Sequence, residues 1–133
     1  MREILFRGKA AETHEWCYGG IVHQTDFYGT EIDYYRIIDG ESSEDNNIGY
    51  STSVIHETVG QFTGLLDKNG KKVFEGDILS GRNNILHSVE FENGEFQLST
   101  RTGQKILIAY AEDMEIIGNI YDNPELMEVE SND

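Results

Sequence analysis

Short apolar segments alternate along this chain with polar segments that contain glycine, which is the pattern of a β protein. From Arg2 to Lys9 the apolar and polar positions alternate. From Trp16 to Val22 the residues are aromatic or β-branched on either side of Gly19 and Gly20. We therefore predict two strands that pair as a hairpin across the loop from Ala10 to Glu15, with the second strand kinked at the glycine pair.

The next part of the chain is less regular. Aromatic and β-branched residues between two glycine turns predict a strand at Ile32–Ile38. The most polar window of the chain, Glu41–Asn47, has nothing to bury and predicts an exposed loop. A weak alternation at Tyr50–Ile55 predicts a further short strand.

The segment from Thr58 to Leu79 has the highest density of residues that determine the backbone conformation, and the rest of the chain is organised around it. Asp67–Gly70 is a polar cluster that ends in Asn-Gly, a step that adopts the positive φ of tight hairpin turns. After this turn, Gly76 interrupts a strand pattern, so we read it as a bulge or a close backbone approach.

A second Asn-Gly step, Asn93-Gly94, gives the clearest hairpin signal in the sequence. Matching alternation flanks it at Val89–Phe91 and Phe96–Leu98, which predicts a two-residue hairpin turn. The apolar run Lys105–Ala111 fits either a strand or a helix.

The C-terminal part predicts a closing strand at Met114–Tyr121 with a bend at Gly118. Asn123 followed by Pro124 predicts a single helical turn. Five strands from about Val73 to Tyr121 would close a small Src-homology-type barrel. The predicted fold is thus mainly β: an N-terminal β lobe with an acidic polar loop over residues 1–57, a small five-stranded barrel over residues 58–121, and an acidic tail over residues 122–133.

Composition places the chain among compact intracellular proteins. Its 133 residues, 38% of them hydrophobic, suit one modest core or two very small ones. No apolar run reaches the ~18 residues of a membrane span, and the N-terminus has no signal-peptide pattern, so we expect a soluble protein of the bacterial cytoplasm. The single cysteine, Cys17, fits a reducing compartment and is read as a packing residue beside Trp16.

The net charge of -15 repels nucleic-acid backbones and anionic membranes, which argues against direct nucleic-acid binding and against a membrane partner. The charge is unevenly placed. Residues 31–57 contain seven acidic residues and one basic residue, and residues 112–133 contain eight acidic residues and no basic one. Residues 58–111 contain six acidic and six basic residues. The middle of the chain is balanced and its flanks are acidic.

Candidate metal ligands are scattered. The histidines, His14, His23, His56 and His87, show no short-range pairing, so we read them as exposed or turn residues. A divalent metal held by His14, Cys17 and His23 is the alternative, and it would require the Trp16 strand to be frayed. We therefore assign no metal site, no cofactor and no catalytic residue.

Carboxylates are abundant, so pairs such as Glu90 with Glu92, or Asp113 with Glu115, carry little information. Our most specific hypothesis on the carboxylates concerns Glu75 and Asp77, because they flank Gly76. One alternative is that both line a partner-binding edge. The alternative that we prefer is that Asp77 accepts backbone N–H bonds at the bulge. The chain has no nucleophile elbow, Walker loop or dinucleotide fingerprint.

Aromatic side chains in the N-terminal half offer a different kind of site. They would form an exposed recognition patch or, for most of them, the packing of a small β lobe. They are Trp16, Tyr18, Tyr28, Tyr34 and Tyr35.

Three blocks of the sequence resemble one family in its order and spacing. They are REILFRGKAAETHEWCYGGIV near the start, TVGQFTGLLDKNGKKVFEGDIL in the middle and EIIGNIYDNPEL near the end. The chain is similar over essentially its whole length to the YopX family of small phage and prophage proteins, mainly of Gram-positive bacteria. The resemblance implies a β lobe followed by a small barrel, with no established activity and no catalytic residues to transfer.

Three functions from different classes fit these observations. The first is a non-enzymatic phage accessory protein that assembles with itself as a homo-oligomer, since two small lobes bury little surface alone. The second is an acidic mimic of nucleic acid that binds a basic host protein. The third is a small hydrolase or nuclease with a carboxylate-bound metal. We rank them in that order.

Overall fold

The computed structural model describes residues 3–25, 33–38 and 51–128 and is mainly β, as predicted. The chain forms two compact units, Met1–Gln61 and Phe62–Asp133, where the sequence had suggested a division between residues 57 and 58. The helices in the described ranges are short 3₁₀ turns, and none is long and apolar enough to cross a membrane.

Unit 1 is an antiparallel sheet. Its strands, in the order β4-β3-β2-β1-β5, are β1 (Phe6–Lys9), β2 (Trp16–Thr25), β3 (Asp33–Ile38), β4 (Ser51–Val54) and the start of β5 (Gly60–Leu66). The predicted first hairpin is confirmed, with Phe6 opposite Gly19 and Lys9 opposite Trp16. The first strand is shorter than predicted, because it begins at Phe6. The loop predicted at Glu41–Asn47 lies outside the described residues.

The core of unit 1 is small. Among the described residues its buried apolar side chains are Ala10, Ile37 and Val54. A β-bridge joins Ala10 to Val54, and the Ile55 N–H donates to the Lys9 carbonyl at 2.8 Å, so the end of β1 also contacts the end of β4.

Unit 2 contains a five-stranded antiparallel sheet. Its strands, in the order β10-β9-β8-β7-β11, are β7 (Asp77–Ser80), β8 (Leu86–Glu92), β9 (Glu95–Thr100), β10 (Lys105–Leu107) and β11 (Glu115–Asn119). The remainder of β5 pairs with β6 (Lys72–Phe74). Strands β10 and β11 are the sheet edges, and no pairing within the described ranges joins them. A closed barrel of the Src-homology type is therefore not found.

Unit 2 has a hydrophobic core of its own, formed where the apolar faces of its strands meet. Its members are Val73, Leu79, Val89, Leu98, Ala111 and Met114, with Phe96, Ile106, Ile108 and Ile116 packed against them. At about 25 cal/mol per Å² of apolar surface removed from water, such a cluster is the main stabilising term for a unit of this size.

The Asn93-Gly94 hairpin is confirmed, since both residues have positive φ, 53° and 80°, and Glu92 faces Glu95 across the turn. At the other Asn-Gly step the positive φ is confined to Gly70, and the Asp67 carboxylate holds the turn by accepting N–H bonds from Asn69 and Lys71.

The structure resolves three further sequence interpretations. Of the two alternatives for Gly76, the close backbone approach is the one found: Gly76 is not a bulge within a strand but lies in the turn between β6 and β7, where its N–H donates to the Val89 carbonyl at 2.9 Å. The ambiguous run Lys105–Ala111 divides into β10 and a 3₁₀ helix, Ile108–Asp113. The C-terminal turn, Pro124–Met127, is present as 3₁₀ helix, but the Asn123 side chain makes no capping bond to it.

Candidate functional site

A concave groove of about 450 Å³ in unit 2, with a mainly apolar lining, is the candidate site, and we call it the His87 groove. It is lined by residues from the turn after β7, from β8, from β10 and from the 3₁₀ helix before β11: Gly81, Arg82, Ile85, His87, Ile106, Tyr110, Asp113 and Met114. Its size falls in the range of ligand pockets, which are typically about 300–1,000 Å³.

The turn between β7 and β8 forms one wall of the groove. Its backbone is closed by hydrogen bonds from the Gly81 N–H to the Ile85 carbonyl at 2.9 Å and from the Ile85 N–H to the Arg82 carbonyl at 3.2 Å. Asn83 and Asn84 both have positive φ, a conformation that asparagine tolerates better than most residues. The turn thereby places Arg82 and Ile85 at the groove.

His87 is the most unusual residue of the groove. Its side chain is only 6% exposed, and its Nδ1 atom has no hydrogen-bond partner among the described residues. Burial lowers the pKa of His87, and the nearby Ile85 carbonyl opposes this effect only in part. Burial therefore favours the neutral form of the imidazole, and Nδ1 is left unsatisfied.

The other polar side chains of the groove also have hydrogen-bonding groups that are available to a ligand. Arg82, Tyr110 and Asp113 are exposed, and within the described part of the chain their side chains make no hydrogen bond or ion pair. Ile85 and Tyr110 leave 48% and 55% of their surfaces exposed. A groove with an apolar wall and several unpaired polar groups has the composition of a binding site.

Three of the carboxylates noted in the sequence, Asp77, Glu90 and Glu92, bond to other groups of the protein. Asp77 is 2% exposed, and its Oδ2 atom accepts the Phe74 N–H at 2.7 Å, so it bonds the backbone at the Gly76 turn, as preferred above. Glu90 and Glu92 lie on either side of the Lys105 ammonium, which they contact, and these bonds raise the pKa of Lys105. An exposed ion-paired cluster of this kind contributes little to stability.

The histidines of unit 1 are brought together with a tyrosine rather than with a metal. The Tyr35 ring stacks against His23 with ring centroids 4.5 Å apart and against His56 with centroids 4.3 Å apart, both within 5° of parallel. Because β3 lies between β2 and β4, the two imidazoles flank the phenol from opposite sides and do not meet. No group of three or more His, Cys, Asp or Glu side chains in the described ranges could hold a metal ion.

The described aromatic side chains of the N-terminal half differ in their surroundings. Trp16 is half-buried, with the Arg7 guanidinium 4.6 Å and the Lys9 ammonium 5.6 Å from its ring centroid. Tyr18 is exposed. Tyr28 and the side chain of Tyr34 lie outside the described residues.

Sequence reasoning did not find the His87 groove. His87 was noted only as one of four scattered histidines, although one signal was available: it stands two positions before Val89 on a strand, so both side chains share a face. Since Val89 belongs to the core, this spacing could have indicated a buried histidine. Ile106 and Met114 reach the groove only through long-range packing.

Comparisons with known proteins identify the family. The model of the YopX protein family matches residues 5–128. No curated protein matches the chain. The crystal structure of protein EF1440 from Enterococcus faecalis is similar with a TM-score of 0.59 at 25% identity, covering 96% of this chain and all of that one. The crystal structure of protein yopX from Bacillus subtilis shares the fold, with a TM-score of 0.52 at 15% identity over 98% of this chain and all of that one. The chain therefore belongs to the YopX family.

Proposed function

We propose that this protein is a non-enzymatic phage or prophage accessory protein of the bacterial cytoplasm that acts as an interaction module and assembles with further copies of itself. The observation that carries the proposal is the exposure of Ile85 and Tyr110 beside the concave His87 groove. Tyrosine is among the residues that most often anchor protein interfaces, above all where a concave apolar site can cover it.

The position of the groove in the sequence also supports self-assembly. A chain of net charge -15 repels a second copy, so contact between copies is favoured where the local charge is balanced. Six of the groove residues, from Gly81 to Tyr110, lie within residues 58–111, where acids and bases are equal in number, and the pair Arg82 and Asp113 has one charge of each sign. The groove can therefore face another copy without strong repulsion.

Sedimentation velocity over a range of protein concentrations tests the proposal. We expect a concentration-dependent oligomer that the double substitution Ile85→Ser and Tyr110→Ser converts to a monomer. The matched control is the double substitution Ile4→Ser and Leu66→Ser, which removes apolar side chains that are 64% and 46% exposed elsewhere. A wild-type protein that stays monomeric at high concentration, or a control that dissociates equally, would contradict self-assembly through the groove.

The net charge favours a second function, a nucleic-acid mimic that binds a basic host protein. Capture of host proteins on the immobilised chain at 50 mM and 300 mM salt separates the two functions. A mimic should retain basic nucleic-acid-binding proteins at low salt and lose them at high salt, because its contacts are screened ion pairs. Apolar contact through the groove should survive the higher salt.

A further inference from the structure

The unpaired polar groups of the His87 groove specify the chemistry of what binds there. Buried polar atoms are nearly always hydrogen-bonded, and an unsatisfied one destabilises the folded protein. The His87 Nδ1 atom is such an atom. Nδ1 is buried from water, so the imidazole must turn slightly to bring this nitrogen to a molecule in the groove. A ligand that reaches it in this way would supply the missing bond, so the groove favours a ligand with a polar atom at its buried end.

The state of His87 narrows the choice of polar atom. Burial lowers the pKa of the imidazole, which favours the neutral ring, and the Nδ1 of a neutral ring is either a donor or an acceptor according to the tautomer. A carboxylate can only accept and an ammonium can only donate. A hydroxyl does both, so it can bond to either tautomer.

The apolar side chains of the groove indicate what kind of apolar group the ligand carries. Ile85, Ile106 and Met114 present two branched aliphatic side chains and a thioether, which pack well against an aromatic ring. An engineered apolar cavity of about 150 Å³ is large enough for benzene. The groove, at about 450 Å³, has room for one aromatic ring and the chain that carries it.

Arg82 and Asp113 set the charge of the ligand. They line the same groove with opposite charges, and neither is engaged within the described residues. A simple anion can pair with Arg82 but is repelled by Asp113 and by the net charge of -15. A simple cation can pair with Asp113 and is attracted by the net charge, but it leaves Arg82 unpaired and is repelled by it. A neutral group with both a donor and an acceptor, such as a peptide unit, suits the pair.

We propose that the His87 groove binds the side chain of a tyrosine carried by a segment of a partner polypeptide. The phenol hydroxyl bonds to His87 Nδ1, the ring packs on Ile85, Ile106 and Met114, and the peptide groups beside the tyrosine face Arg82 and Asp113. This inference rests on the proposed role as an interaction module and names the side chain that the groove recognises.

Binding of two small amides to the full-length protein tests the inference. N-acetyl-L-tyrosinamide and N-acetyl-L-phenylalaninamide differ only by the hydroxyl, and NMR titration gives both affinities together with the shifts of the His87 ring. We expect tyrosinamide to bind at least about tenfold more tightly, since one satisfied buried hydrogen bond is worth roughly 1.4 kcal/mol or more. Equal affinities, shifts confined to other parts of the protein, or a groove that holds only water and binds neither amide would overturn the inference.

Two variants show whether the selectivity comes from His87 and from this groove. His87→Phe should abolish the preference for tyrosinamide while still binding phenylalaninamide. In Gly81→Ala the new Cβ would lie 3.1 Å from Met114 Cε and 3.5 Å from His87 Cε1, so it should weaken both amides. Gly20→Ala is the control, because its Cβ would meet nothing within 4 Å and lies in unit 1. A preference that survives in His87→Phe would count against the proposal, and Gly81→Ala serves if His87→Phe does not fold.

Failure of this inference is distinguishable from failure of the proposed function. A concentration-dependent oligomer whose groove does not prefer tyrosinamide would refute tyrosine recognition and leave self-assembly standing. A protein that prefers tyrosinamide but sediments as a monomer at every concentration would refute self-assembly. The tyrosine would then belong to a different polypeptide.

Discussion

Asp67 accepts a hydrogen bond from the backbone N–H of Ile116, with 3.0 Å between Oδ2 and the nitrogen. The same carboxylate accepts N–H bonds from Asn69 at 2.8 Å and from Lys71 at 2.9 Å. The Lys68 N–H also donates to the Met114 carbonyl at 2.9 Å. One side chain thus closes the turn after β5 and fixes it to the start of β11, a strand 49 positions further along the chain.

Substitution of Asp67 should therefore destabilise unit 2. Asp67→Ala leaves three backbone donors without their acceptor, and we expect the free energy of unfolding to fall by about 3 kcal/mol in urea denaturation followed by circular dichroism. Asp113→Ala is the matched control, because that carboxylate is exposed and its side chain has no partner among the described residues. The control should stay within about 0.5 kcal/mol of the wild type. Equal losses in the two variants would show that the Asp67 contacts do not matter.

The same site has a pH dependence with a definite sign. Burial by itself raises the pKa of Asp67, but the N–H bonds from Ile116, Lys71 and Asn69, together with the charge of Lys71, outweigh it and lower the pKa below 3.8. The stabilising effect is therefore complete above the unfolded pKa and is lost as the pH falls through the folded one. Asp67→Ala should lose this acid dependence, which acid titration of the unfolding free energy would measure.

Two adjacent glycines of β2 should respond very differently to the same substitution. A Cβ at Gly19 would lie 2.0 Å from the Ile38 carbonyl oxygen, which is backbone and cannot turn aside, whereas a Cβ at Gly20 would meet nothing within 4 Å. We expect Gly19→Ala to cost more than about 3 kcal/mol by forcing β2 and β3 apart, and Gly20→Ala to be neutral or slightly stabilising. Trp16, the only tryptophan, lies in β2 and reports on unit 1 by its fluorescence. A wild-type unfolding curve for Gly19→Ala would disprove the predicted clash.

The Asn93-Gly94 turn allows a test of backbone strain without side-chain contact. Gly94 has a φ of 80°, and a Cβ there would meet nothing within 4 Å. Gly94→Ala should therefore cost only the backbone term, about 1–2 kcal/mol, measured by thermal unfolding. Asn93 also has a positive φ, 53°, so Asn93→Gly removes strain of the same kind. We expect Asn93→Gly to destabilise the protein less than Gly94→Ala does. A neutral Gly94→Ala would mean that the turn changes its conformation.

The sequence predicted those features that are decided by a few neighbouring residues. The Asn93-Gly94 hairpin and the pairing of the first two strands follow from local turn chemistry and alternation, and both are present. The strand and 3₁₀ helix at Lys105–Asp113 could not be separated, because a short apolar run fits either one and tertiary packing decides. The closed barrel required a pairing between the sheet edges, which no local pattern encodes.

The candidate site was less predictable than the fold. The exposure of Ile85 and the burial of His87 depend on where the turn at Asn83 and Asn84 directs the chain, and positive φ at two successive asparagines is a property of the folded turn. The stacking of His23 and His56 on Tyr35 joins three separate segments. Side chains that meet only through tertiary contacts leave no spacing in the sequence by which to find them.

His87 should make the protein less stable as the pH falls towards 5. Burial holds the pKa of its imidazole below the ordinary value of 6.5, while in the unfolded chain it returns to that value. Between the two values the unfolded chain binds more protons, so the free energy of unfolding rises with pH and levels off above about 6.5. One such group changes this free energy by at most about 1.4 kcal/mol per pH unit.

The variants His87→Phe and His14→Asn isolate this effect in urea denaturation between pH 5 and pH 8. His87→Phe removes the buried titrating group, so its stability should depend less on pH than that of the wild type, and it also removes an unsatisfied polar atom. His14 is exposed and has a φ of 62°, which asparagine tolerates, so His14→Asn should keep the wild-type dependence. Parallel pH profiles for the wild type and His87→Phe would show that His87 takes up a proton as readily in the folded protein as in the unfolded chain. The groove would then be open to water at its base, and the neutral imidazole needed for tyrosine recognition would be the minor form near pH 6.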